Sequence, residues 1–161
     1  MNILVDEHRQ LLDCLLNQEV NFMLIGGYAV IYYGYERTTG DMDIWLEPAN
    51  DNRNKLLKAL TEFGIMDEDV EKMKALDFNT SQVFYFGAKP RRVDFLVFKK
   101  LGNIPFNEAR MQAKHFLLQN KQVPVIHYHH LIATKILTGR TQDKADIEEL
   151  QRINKYKDDK Q

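Results

Sequence analysis

A short apolar run that stops on two glycines, followed within 20 residues by an alternating run studded with acids, is the most constraining feature of this chain. Phe22-Met-Leu-Ile25 is too short for a helix and reads as a buried strand. Gly26 and Gly27 end it, and Tyr28 to Tyr33 reads as a helix closed by Gly34. Asp41 to Leu46 then alternates, with Met42, Ile44 and Leu46 on one face and Asp41, Asp43 and Trp45 on the other. Strand, glycine turn, helix, strand is an α/β beginning, and it predicts a mixed β-sheet flanked by helices.

The remaining punctuation fits that class. Residues 4–18 place Val5, Leu11, Leu12, Leu15 and Leu16 at helical spacing. Residues 51–63 form a predicted helix ended by Gly64, and Asp67 to Leu76 a second, whose charged run from Glu68 to Lys74 reads as a solvated face. Gln82 to Phe86 and Arg92 to Phe98 are β-rich runs joined as a hairpin through Gly87-Ala-Lys-Pro90. Phe106 to Ala113 reads as a short helix, and 114–118 with 122–126 as a small hairpin around Asn120 and Lys121. Helices follow at Tyr128 to Leu137, closed by Gly139, and at Gln142 to Tyr156, with a frayed polar tail from Lys157 to Gln161. At 161 residues, a single domain 1–161 is expected, with a core at about 20–126 and C-terminal helices at about 127–157.

Charge excludes some partners. With 22 Lys+Arg against 23 Asp+Glu the net charge is −1, so no global positive field exists to coat a polyanion, which must be held locally. The uncharged stretch from Asn21 to Tyr35 is shorter than the ~20 apolar residues of a membrane span, so no membrane is expected as a partner. A lone Cys14 and an early charged start, Asp6 to Arg9, fit a cytoplasmic protein.

The chemistry sits in three aspartates. An aspartate within a strand is disfavoured, and one among large apolar residues, as Asp94 is among Val93, Phe95 and Leu96, needs a partner for its charge. Asp41 and Asp43, two residues apart on a strand, point the same way and suit a hard cation that Asp94 would complete from a neighbouring strand. Two Mg²⁺ ions held by three carboxylates serve phosphoryl or nucleotidyl transfer. The bare backbone of Gly26 and Gly27 would let a phosphate approach the N–H groups at the following helix start. Arg37, on the loop feeding the strand, is placed to reach a triphosphate. The competing reading has Asp41 and Asp43 decorating a sheet edge, Asp94 in a salt bridge with Arg91 or Arg92, and Arg37 in solvent.

Lys135 lies in an otherwise apolar helical stretch, either pointing into the cleft or snorkelling to water. His127, His129 and His130 sit at a helix start with no Cys nearby, a poor zinc pattern. Tyr28, Tyr32, Tyr33 and Tyr35 read as half-buried packing more readily than as a base-stacking set.

The stretches Leu24-Ile-Gly-Gly-Tyr-Ala-Val, Tyr35-Glu-Arg-Thr-Thr-Gly-Asp-Met-Asp-Ile and Arg92-Val-Asp-Phe-Leu resemble the nucleotidyltransferase superfamily of DNA polymerase β type. The likeness is greatest to small bacterial members similar to the AbiEii toxins and the lincosamide nucleotidyltransferases. It extends through Leu131-Ile-Ala-Thr-Lys-Ile-Leu-Thr-Gly-Arg140-Thr-Gln-Asp-Lys-Ala-Asp-Ile-Glu-Glu-Leu, and so covers residues 20 to 150.

The resemblance implies a polymerase β-like fold and transfer of NMP from an NTP such as ATP, with two Mg²⁺, to a hydroxyl on a tRNA, a protein or a small molecule. It assigns Asp41, Asp43 and Asp94 to catalysis and metal binding, and Gly26, Gly27, Arg37, Lys135, Arg140 and Asp143 to the nucleotide. Many superfamily members have Gly-Ser where this chain has Gly26-Gly27, so only the N–H of Gly27 is on offer. The alternative function is a nucleotide-binding or partner-regulating toxin–antitoxin component with little or no turnover. A homodimer or an antitoxin partner fits either case.

Overall fold

The computed structural model describes Met1 and residues 4–160. Helices α1 (Asp6–Asn17), α2 (Gly26–Tyr32), α3 (Asn50–Phe63), α4 (Asp67–Lys74), α5 (Phe106–Gln112), α6 (Tyr128–Thr138) and α7 (Thr141–Asp158) surround the sheet. Its strands are β1 (Phe22–Ile25), β2 (Met42–Leu46), β3 (Gln82–Phe86), β4 (Val93–Val97), β7 (Lys114–Leu118) and β8 (Lys121–Val125). A separate two-stranded hairpin is made by β5 (Lys100–Leu101) and β6 (Ile104–Pro105). The six-stranded sheet runs β3-β4-β2-β1-β8-β7 and is mixed: β2 is antiparallel to β1 but parallel to β4, and β1 is parallel to β8. The α/β class expected from the sequence is what the chain adopts.

Several boundaries differ from expectation for local reasons. The second strand starts at Met42, so Asp41 stands just ahead of the ladder. Helix α2 starts at Gly26, whose φ of 63° makes the whole strand-to-helix turn within one residue. Helix α7 runs to Asp158, so Lys157 and Asp158 are helical rather than frayed, while Gln161 lies outside the described residues. The β5–β6 hairpin was not expected.

Strand parity sets the two faces of the sheet. Ile44, Phe95 and Phe84 align across β2, β4 and β3, and this face packs on α3, where Phe63 meets Phe86. The other face carries Asp43 beside Asp94, then Trp45 beside Leu96. Phe106 of α5 covers Trp45 edge-on at 5.3 Å, and the indole N–H donates to Phe98 O at 2.9 Å. Toward the β3 edge this face opens, leaving Val83 and Tyr85 more than 60% exposed. Among the described residues no helix is long and apolar enough to cross a membrane.

Candidate functional site

The site grows from the register of two parallel strands. Asp43 of β2 lies directly opposite Asp94 of β4, and Asp41 precedes Asp43 by two residues. All three line one cleft of about 430 Å³, together with Gly26, Gly27 and Thr39. Asp43 is the most affected. Burial, then the charges of Asp94 and Asp41, push its carboxyl up to about 6. Asp41 Oδ1 is buried with no hydrogen-bond partner, and Lys89 Nζ stands 4.0 Å from its other oxygen.

Asp94 is not free. Arg92, two residues back and on the same face of β4, pairs with it at 3.0 Å and stacks its guanidinium 4.8 Å from the Tyr85 ring. The Arg92 salt bridge that the competing reading named therefore exists, and it forms inside the shared cleft rather than away from it. Among the described residues, no three carboxylates, imidazoles or thiols are already gathered round one metal position. The donor set still fits a hard divalent cation: an orphaned carboxylate oxygen and an acid whose carboxyl is pushed up by burial and by its acidic neighbours are what such an ion would relieve.

The glycines matter through what they leave empty. A Cβ on Gly26 would fall 2.2 Å from Asp43 Oδ2, and one on Gly27 would fall 2.3 Å from Thr39 Oγ1. The left-handed backbone belongs to Gly26, so Gly27 is needed for clearance alone. Gly27→Val is expected to push Thr39 off Asp41 O, which its hydroxyl reaches at 3.2 Å. That overpacking costs about 1–3 kcal/mol. Titration calorimetry with an NTP and Mg²⁺ should show affinity down about tenfold or more. Unchanged affinity in a folded variant would make Gly27 a mere strand terminator.

The basic residues assigned by resemblance sit together, but each faces a carboxylate, Asp143 or Asp146. Lys135 is buried, neither snorkelling out nor held free, and pairs with Asp146 at 2.8 Å and Asp143 at 3.2 Å. Arg37 reaches Asp146 at 2.8 Å, which corrects the solvated-loop alternative. Arg140 donates to Asp143 through its side chain at 2.8 Å and its backbone N–H at 3.0 Å, so the Asp143 carboxylate reaches back to the N-cap of α7. Burial works against ionising Asp143 and Asp146, yet both stay below the usual carboxylate range. Hydrogen bonds from Arg140 and Thr138 hold Asp143 down, and those from Lys135, Gln142 and Arg37 hold Asp146 down. Asp143 thus braces the wall through Lys135, Thr138 and Arg140. The chain Arg37–Asp146–Lys135–Asp143–Arg140 forms the wall opposite the three aspartates.

Asp146, Arg92 and Lys89 were not singled out as site residues from the sequence. Arg92 was legible, since strand parity puts it on the face of Asp94. Asp146 sits three residues after Asp143 on the same helix face. Nothing local marked Lys89.

The histidines and tyrosines do structural work. His127 Nδ1 accepts the backbone N–H of His129 and caps α6. Tyr28 OH meets His8 Nδ1 at 2.8 Å, and Tyr33 OH donates to Ile126 O at 2.8 Å. No family model and no curated protein matches this chain.

Proposed function

We propose that the chain is a Mg²⁺-dependent nucleotidyltransferase that moves NMP from an NTP to a hydroxyl acceptor. The observation that carries this reading is the in-register pair Asp43 and Asp94, with Asp41 in the same cleft, facing the bare backbone of Gly26 and Gly27. The resemblance, which rests on the same glycines and aspartates, agrees with it. Asp41, Asp43 and Asp94 would hold Mg²⁺, which when bound neutralises phosphate charge and activates an attacking hydroxyl. Gly26 and Gly27 leave room for a triphosphate at the backbone, and Lys89, with the guanidinium edge that Arg140 does not spend on Asp143, offers it positive charge. Asp94, at the open side of the sheet, is placed to take the acceptor's proton. Arg37, Lys135 and Asp143 act through the wall they build, as positioning residues.

The test is incubation of the protein with each α-labelled NTP and Mg²⁺ in cell extract. Label transferred to a discrete RNA, protein or small molecule is expected, and no transfer with any NTP would overturn the reading. A nucleotide-binding regulator with little turnover, such as a toxin–antitoxin component, is favoured by one observation, that Arg92 already occupies Asp94. Nucleotide bound without transfer would select it.

Asp43 gives the reading a pH signature. A carboxyl raised from 3.8 to about 6 binds a proton more tightly folded than unfolded. Its contribution is fully present below the ordinary value and is lost as pH rises through about 6, a change of about 3 kcal/mol. Without divalent ions, melting temperature should therefore fall between about pH 4 and pH 6 relative to Asp43→Asn. Mg²⁺ should reverse the fall, because a cation binds the carboxylate the proton leaves. Parallel melting curves for the two proteins would exclude this.

A further inference from the structure

Beside the polar cleft lies a second cavity of about 520 Å³, and the two meet at Gly26, Asp43, Lys135, Arg140 and Asp143. Beyond that junction their chemistry parts. The polar cleft continues to Thr39, Lys89, Arg92 and Asp94. The second cavity continues to Leu96 on the sheet, to Leu101 and Gly102 of the β5–β6 hairpin, and to Leu131 and Leu137 of α6. The hairpin tip closes on α6: a Cβ at Gly102 would lie 2.4 Å from Leu137 Cδ1.

A ligand spanning both spaces across Asp43 has a polyanionic end and a flat or apolar body. Asp94 lines the polar cleft and not the chamber. Resting on the nucleotidyl-transfer reading of the same cleft, we infer that the chamber walled by Leu96, Leu101, Leu131 and Leu137 receives the nucleoside of the donor and selects it by ring size rather than by base identity.

The second half of that statement follows from the hydrogen-bond inventory. Telling adenine from guanine takes a fixed donor and acceptor matched to one base edge, and an apolar pocket lacks that power. The hydroxyls here are committed: Thr134 donates to Leu131 O at 2.8 Å and Thr138 to Asp143 Oδ2 at 2.8 Å. Lys135 and Arg140 point their charge at Asp143. Past the junction with the polar cleft the lining is Ile25, Leu96, Leu101, Leu131 and Leu137 with the two committed threonines, an apolar area of which a purine buries more than a pyrimidine.

Calorimetric titration of the full chain in Mg²⁺ with ATP, GTP, CTP, UTP and inorganic tripolyphosphate tests this. ATP and GTP should bind within about threefold of each other, at least about tenfold more tightly than tripolyphosphate, with CTP and UTP between. Leu137→Asp, at an exposed position on α6, and Thr134→Phe, which fills the chamber, should bring ATP down to the tripolyphosphate level. Tripolyphosphate itself should stay within about twofold. A gap above about tenfold between ATP and GTP would overturn the inference, as would ATP binding that both variants leave intact. Tripolyphosphate bound as tightly as ATP removes the chamber's role while keeping the phosphate cleft. Silence toward all five ligands takes the nucleotidyl-transfer reading down with it.

Discussion

Asp94→Asn is expected to lower NMP transfer by at least about a thousandfold while leaving the melting temperature at or above that of the parent. General-base assistance alone is worth about 10²- to 10⁴-fold, and the variant also removes one of three negative charges around the position where a cation would sit. An amide is nearly isosteric with the carboxylate and still accepts a hydrogen bond from Arg92, which now makes one at 3.1 Å through its terminal nitrogen. Losing the charge also relieves Asp43, whose carboxyl is held up in part by Asp94. The measurement pairs transfer to the acceptor found in extract with thermal melting. Transfer near the parent rate would remove Asp94 from the chemistry, and a collapsed melting temperature would make it structural.

Asp146→Ala is expected to cost about 3–5 kcal/mol of stability, or roughly 10 °C in melting temperature. The carboxylate is fully buried and receives Lys135, Arg37 and Gln142. Its removal leaves the Lys135 ammonium buried with only Asp143, at 3.2 Å. The double variant Lys135→Met with Asp146→Leu should lose less than the single one, because charge and countercharge leave together and apolar volume replaces them. Arg37, about one-fifth exposed, can turn to water. Additive losses would show that the wall is held by packing alone.

The sequence carried the elements well and the relations between them poorly. Glycines closed α2, α3 and α6 close to where the structure ends them, since Gly64 and Gly139 adopt the left-handed cap that only glycine takes cheaply. The β5–β6 hairpin escaped because two-residue strands have no period to read. The shared face of Asp41 and Asp43 followed from parity alone. That Asp94 stands opposite Asp43 did not, because strand order and direction are set by packing between segments fifty residues apart. For the basic residues what the sequence hid was their partners: helical spacing located Lys135 yet could not see that Asp143 and Asp146 answer its charge.

The wall has a temporal consequence. Its outer pair joins Arg37 to Asp146 across 109 residues. During synthesis the acidic side of the cleft is complete once β4 has emerged, but the opposite side waits until α7 has left the ribosome and docked. Until then the cleft lacks the lining that Asp143 and Asp146 supply. On the nucleotidyl-transfer reading, a nascent chain is expected to hold nucleotide poorly, because the cleft is complete only once the last helix has docked.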